Sequence, residues 1–217
     1  MSHSDEEQLI ANLIRALNNR AWKTRAQAAN ALINLGELAG VPLMAAIRQN
    51  TFTVFTLPDA LRALGGMGGI QAVDLLIEEM ESWNVHAVQE AAKGLGHIGS
   101  PRAIQPLIDM FRRDWDDTET ITAWQEAATA LAAIGEPALP ALLTALTDED
   151  DNVRQGVAEA LGQLHDPRAV GPLVKAVQDE KSIVRAYVAD ALAKLGDKRA
   201  IDGPSCQRYP TNGQLGQ

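Results

Sequence analysis

Apolar residues recur along this chain in two alternating helical stripes. One stripe falls at Ile104, Leu107, Ile108 and Phe111, again at Leu139, Leu142, Leu143 and Leu146, and again at Val170, Leu173, Val174 and Val177. The spacing i, i+3, i+4, i+7 gives a helix one apolar face. The other stripe is Ala91, Leu95 and Ile98, matched by Ala127, Leu131 and Ile134 and by Val188, Leu192 and Leu195. The pattern therefore predicts helix pairs, each pair a first helix, a turn and a second helix.

The second helix of each pair ends on a shared landmark. "ALINLG" closes at Gly36, "ALRALG" at Gly65, "GLGHIG" at Gly99, "ALAAIG" at Gly135, "ALGQLH" at His165 and "ALAKLG" at Gly196. Successive intervals are 29, 34, 36, 30 and 31 residues, an internal repeat with a period near 31. A glycine there suits a helix C-terminus, where the left-handed conformation costs it nothing. Ser100-Pro101 and Asp166-Pro167 then offer a capping side chain and a proline at the first helical position. Pro106 and Pro172 are expected to bend the start of their helices. "GGMGG" (65–69) reads as a loose turn; no strand precedes it and no Lys-Ser/Thr pair follows, so it is not a phosphate loop.

A single helix pair cannot bury both its faces, so the pairs must stack. The predicted fold is an all-α solenoid of about six pairs: 5–36, 37–66, 67–99, 100–135, 136–165 and 166–196. An incomplete pair follows at 197–203, then a non-repeat tail at 204–217 in which the apolar stripe stops. That end lacks its capping partner, which invites a homodimer, and Cys206 could link two chains.

Composition narrows the function. Aromatic residues are 4% of the chain, against 46% hydrophobic residues overall, which suits helices better than strands. A net charge of −9 argues against nucleic acid and anionic membrane, because neutralising phosphates takes a Lys/Arg excess. The start, "MSHSDEEQ", lacks the features of a signal peptide, no window is apolar enough to span a membrane, and one cysteine forms no internal disulfide. A cytoplasmic protein is the expectation.

The stretch "DPRAVGPLVKAVQDEKSIVRAYVADALAKLGDKRA" (166–200) resembles the HEAT-like repeats of the phycobilisome-lyase type, and the resemblance extends over roughly residues 5–200. It implies a right-handed superhelix whose second helices line a concave face. Counted back from each landmark, offsets of nine, six and two residues then share one exposed ridge. This ridge carries Asp59, Glu90, Glu126, Glu159 and Asp190 against Lys93 and Lys194, an acid-leaning surface suited to a protein or peptide with a basic segment. The expected contact residues are Phe55, Asp59, Glu90, Lys93, His97, Trp124, Glu126, Glu159 and Tyr187.

The resemblance also implies that the arginine eleven residues before the landmark pairs with an acidic residue of a neighbouring turn. Arg25, Arg154 and Arg185 keep it, with Asp148 to Asp151 as partners at hand; Val54, Val88 and Trp124 replace it in the middle copies, where packing against neighbours is expected. The stretch "FRRDWDDTETITAW" (111–124) exceeds what the repeat needs and is a further candidate for binding, with Trp115 and Asp114, Asp116, Asp117 and Glu119 within it.

Two enzyme types share this architecture. Deoxyhypusine hydroxylase holds two irons on His-Glu pairs. Here Gln89 and Gln125 precede Glu90 and Glu126 in place of histidine, and His97 lies roughly 10 Å along the axis from Glu90. No metal or other cofactor is expected. The alternative to a non-catalytic scaffold is phycobilin lyase-like chromophore attachment or removal, for which the ridge offers few aromatics and two distant lysines.

Overall fold

The computed structural model describes residues 3–113 and 119–196. Among them are twelve α-helices: α1 (His3–Ala16), α2 (Trp22–Leu35), α3 (Glu37–Arg48), α4 (Leu57–Met67), α5 (Val73–Met80), α6 (Val85–Ile98), α7 (Ile104–Asp109), α8 (Glu119–Ile134), α9 (Leu139–Ala145), α10 (Asp151–Leu164), α11 (Val170–Ala176) and α12 (Ser182–Lys194). They form six pairs, and the predicted all-α solenoid is the fold. The expected incomplete pair at 197–203, the tail at 204–217 and Cys206 lie outside the described residues, as do residues 114–118 of the long stretch before α8. The remainder of that stretch is a short 3₁₀ turn at Met110–Arg112 and the first turns of α8.

The even-numbered helices stack on one another along the whole array, while the odd-numbered helices touch their counterparts only lightly. Small residues set the closer spacing. A β-carbon on Gly96 would lie 2.7 Å from Ala130 Cα, and one on Gly162 would lie 2.8 Å from Ala191 Cα. The tighter layer is the inside of the curve. The core runs continuously between the two layers through both predicted stripes, with Leu95, Leu107, Phe111, Leu131, Leu142, Leu173, Val188 and Leu192 all buried.

The second repeat differs from the sequence expectation. Its helix does not stop at Gly65; it runs on to Met67 and ends at Gly68, which has φ 79°. The first half of "GGMGG" is therefore helix and not turn. With Gly68 as the landmark, the first intervals become 32 and 31 residues, and the only large departure left is the 36 before Gly135. The new register also explains the glycines. Gly65 and Gly94 meet as Gly96 meets Ala130, a residue three before one landmark against a residue five before the next.

The other helix ends follow the expectation: Gly36, Gly99, Gly135, His165 and Gly196 all have positive φ. Of the two predicted capping side chains, Asp166 accepts from Arg168 N at 2.9 Å, whereas Ser100 is buried and makes no capping bond. Both prolines that follow open a single 3₁₀ turn, Pro101–Ala103 and Pro167–Ala169. The α-helix starts only afterwards, so Pro106 and Pro172 fall in its first turn, where a missing N–H leaves no bond unmade.

Candidate functional site

The helix-start arginines clamp the turns. Arg154, near the start of α10, donates to the carbonyls of Asp148 at 2.8 Å and Glu149 at 3.0 Å in its own turn. Its guanidinium then reaches forward to Asp179 with two bonds of 2.7 and 3.1 Å. Arg25 does the same with Asn19 O, Arg20 O and Asp59, and Arg185 holds Asp179 O and Glu180 O. The carboxylate partner of Arg154 is thus in the next repeat and not in the 148–151 cluster. Asp148 instead takes two bonds from Arg112 at 3.0 and 2.6 Å. Hydrogen bonding to these guanidinium groups holds the carboxyls of Asp148 and Asp179 below the usual carboxylate range.

The middle repeats obtain their clamps from elsewhere. Val88 is buried, and the carbonyls of Met80 and Ser82 in its turn accept from Arg113 of the following repeat. Trp124 packs edge-to-face on Phe111 with ring centroids 6.4 Å apart. In the second repeat Val54 and Phe55 do not pack; they stand exposed on the turn before α4.

Along the inner helices the predicted ridge survives with one repeat re-registered. Counted from Gly68, the second repeat contributes Asp59, Arg62 and Gly66; Thr56 and Ala63, which the earlier register put on the ridge, are buried. The carboxylates are nearly all held by cations of the same surface. Asp59 takes Arg25 at 2.6 Å and Arg62 at 2.9 Å. Lys93 lies 3.1 Å from Glu90 and 3.5 Å from Glu126, and Lys194 lies 2.9 Å from Glu159 and 2.8 Å from Asp190. Burial works to lower the pKa of Lys93, but Glu90 and Glu126 outweigh it and hold the ammonium above its ordinary value. The acid lean of the ridge is therefore largely neutralised from within, and its charge no longer singles out a basic partner.

Three of the expected contact residues come together. Trp124 on α8, Glu159 on α10 and Tyr187 on α12 line a recess of about 220 Å³. Ala128, Gly156 and Ile183 complete its mostly apolar walls, and Gln125 and Gln155 sit at its margin. Gly156 owes its lack of a side chain to Phe111, whose ring carbon would lie 2.3 Å from a β-carbon there. The Trp124 indole N–H is buried without a hydrogen-bond partner among the described residues. Glu90, Lys93 and Glu126 form a second cluster one helix away, His97 is exposed near the end of α4 beside Gly68, and Phe55 lies on a turn apart from the ridge helices.

The sequence reading missed Gln125, Gln155 and Ile183. A signal for the two glutamines existed: Gln89, Gln125 and Gln155 each lie ten residues before a landmark in three successive repeats. Gln89 spends its amide on Thr122 at 2.6 Å, while Gln125 and Gln155 have no hydrogen bond among the described residues. A recess of about 580 Å³ between α1 and α3, walled by Ile10, Ala11, Ile14, Leu38 and Pro42, was also unforeseen. It belongs to the outer layer, and its polar lining is His3, Glu6 and Glu7, with His3 3.1 Å from Glu7.

Among the described residues no three His, Cys, Asp or Glu side chains converge as metal ligands, and no single helix is long and apolar enough to cross a membrane.

Residues 59–125, 119–175 and 139–203 match the family described as HEAT repeats, together about two thirds of the chain. No curated protein matches in sequence. Among solved structures, human deoxyhypusine hydroxylase in complex with glycerol is similar at 19% identity over 92% of this chain and 89% of that one, with a TM-score of 0.44. The complex of CpcE and CpcF of phycocyanin lyase from Nostoc sp. PCC7120 is similar at 22% identity over 84% of this chain and 96% of that one, also with a TM-score of 0.44. An engineered protein matches at 20% identity over 86% and 96% of the two chains, with a TM-score of 0.39. At this level of similarity none of the three carries an argument about activity.

Proposed function

The chain belongs to the HEAT-repeat family, and from that premise we propose that it is a non-catalytic interaction module. Its inner face takes a large apolar or aromatic side chain of a protein segment into the recess between α8, α10 and α12. The observation that carries this reading is the recess itself, apolar walls of Trp124, Ala128 and Ile183 with two uncommitted carboxamides at the margin. Such a combination of apolar walls and few polar groups is what small binding sites have. Gln125 and Gln155 each offer donors and an acceptor, the complement of a peptide unit in an extended segment. Trp124, Glu159 and Tyr187 are the contact residues at this site, and Glu90, Lys93, His97, Glu126, Asp59 and Phe55 extend the surface away from it.

Among the described residues, the cations do not favour the lyase-like alternative. Lys93 and Lys194, the cations a bilin's propionates would need, are each committed to two carboxylates. Mixing the purified chain with a bilin and an apo-phycobiliprotein should leave the acceptor without a visible absorbance band.

The test of the interaction reading is capture from the source-cell extract, read by mass spectrometry. Ile183 is 47% exposed, so Ile183→Glu puts a charge into the wall without touching the core. The wild-type chain should retain a protein that the variant loses; retention of the same proteins by both would move the site elsewhere.

A further inference from the structure

Of the three arginines that clamp a turn, two also reach forward to the next repeat and the last has nothing to reach. Arg25 and Arg154 each spend Nη1 on two carbonyls of their own turn and Nε on a carboxylate ahead, Asp59 at 2.6 Å and Asp179 at 2.7 Å. Arg185 makes the same two Nη1 bonds, to Asp179 O at 2.9 Å and Glu180 O at 3.1 Å. Its Nε and Nη2 have no hydrogen bond or ion pair among the described residues. The guanidinium is held by one edge in the array's own geometry, with the forward edge unfilled.

The helix face beside it is open as well. Seven residues before each landmark, Ala29, Leu61, Ala92, Ala128 and Ala158 are at most 1% exposed, whereas Ala189 is only half-buried. Three before it, Gly65, Gly96 and Gly162 are buried against Gly94, Ala130 and Ala191 of the next inner helix. Ile33 and Ala132 are half-buried at that position, and Ala193 is exposed. A terminal repeat ordinarily turns a polar face to water; α12 turns out alanines at 186, 189 and 193.

We propose that this end of the solenoid binds an α-helix of a partner protein that brings an aspartate or glutamate to Arg185, extending the array by one inner helix. The interfaces inside the array say what such a face takes. Each of the first five inner helices is covered by the next one. Where the covered helix carries the forward-reaching arginine, as α2 and α10 do, the covering helix or the turn before it supplies a carboxylate. A charge-assisted bond of this kind selects an acidic group over a neutral one.

Two nearer candidates lack that carboxylate. A second copy stacked in the array's register brings Asn19 where the sixth repeat has Asp179, and Gln27 where the second has Asp59. Beyond Gly196 the sequence reads as a first helix, the outer-layer element, as far as 203, and the register of Asp179 falls on Pro210. The face is also separate from the recess, which α12 lines with Ile183 and Tyr187, and the two are tested independently.

The full chain is titrated with a labelled peptide of residues 177–196, the stretch that covers the equivalent face of α10, and read by fluorescence anisotropy. A hydrocarbon staple between positions 183 and 187 keeps it helical, and its Asp179 stands in for the partner's carboxylate. The peptide should bind. Asp179→Asn in the peptide or Arg185→Gln in the chain should each weaken binding by about tenfold or more, and the two together no further than either alone. Ala193→Arg, at an exposed position of the face, should abolish binding, while Ile183→Glu in the chain leaves it unchanged; circular dichroism should show all three chain variants as helical as the wild type. Failure of the peptide to bind, or equal binding after Asp179→Asn or Arg185→Gln, overturns the proposal. So does evidence for either nearer candidate: a dimer in sedimentation velocity that Arg185→Gln dissolves, or a fall in melting temperature with Arg185→Gln that Asp197→Asn and Asp202→Asn together reproduce.

Discussion

Gly65 of α4 and Gly94 of α6 pack backbone against backbone. A β-carbon on Gly65 would lie 2.4 Å from Gly94 Cα, and one on Gly94 would lie 2.8 Å from Gly65 Cα. Neither helix can give way alone, because each is held on its far side by the next repeat. Gly94→Ala should therefore destabilise by about 2–3 kcal/mol through overpacking, although alanine is the better helix former by about 1 kcal/mol. Gly40, in the interior of α3 with nothing within 4 Å of its would-be β-carbon, is the control. Gly40→Ala should stabilise by about 1 kcal/mol. Urea denaturation of the two variants gives opposite signs if close approach, and not helix propensity, dictates Gly94.

The Arg154–Asp179 pair joins the last two repeats with both side chains about nine-tenths buried. Asp179→Asn leaves a largely buried guanidinium without its counter-charge and should cost about 2–3 kcal/mol. The pH dependence has a definite sign. Arg154 depresses the Asp179 carboxyl, so the pair's contribution is complete above the unfolded carboxylate value near ~4 and is lost as pH falls through the lower folded value. The stability gap between wild type and Asp179→Asn should stay constant from neutral pH down to about 5 and close below about 4.

Phe111 fills the space that Gly156 leaves, so the two positions should be coupled. Gly156→Ala alone should cost about 1–3 kcal/mol, and Phe111→Ala alone about 3–5 kcal/mol. Combined, they should cost less than the sum, because the new methyl occupies the vacated ring's place. A double-mutant cycle by thermal melting measures the difference; strict additivity would mean that the ring does not determine the glycine.

Lys93 bridges Glu90 and Glu126 at a side-chain exposure of 46%, where solvent screens the pair. Lys93→Met should change stability by less than about 1 kcal/mol. A larger loss would mark this cluster as structural, and substitutions there could then not be read as binding effects.

The repeat, both apolar stripes and five of the six helix ends were legible in the sequence, because helical periodicity and a helix-terminal glycine are local signals. The second repeat was not. Two glycines in "LGGMGG" qualify as a helix end, and only the contact between Gly65 and Gly94 shows that the first belongs to packing. That three-residue shift moved Thr56 and Ala63 onto the ridge and left Arg62 off it. The ridge's charge was countable, but its neutralisation was not, since Lys93 and Lys194 could have pointed to solvent. The recess depends on where Trp124, Ile183 and Tyr187 meet across three helices, a relationship that no single repeat contains.

The central claim is that a partner protein contacts the inner face at the recess. A photo-crosslinking amino acid placed at Gln155, at its margin, tests this against the same group at Gln105 and at Lys175 on exposed positions of the outer helices α7 and α11. Illumination in the source-cell extract should give a discrete adduct from position 155 that disappears with Ile183→Glu, and none from 105 or 175. Adducts of equal yield from the outer positions, or one at 155 that survives Ile183→Glu, would contradict it.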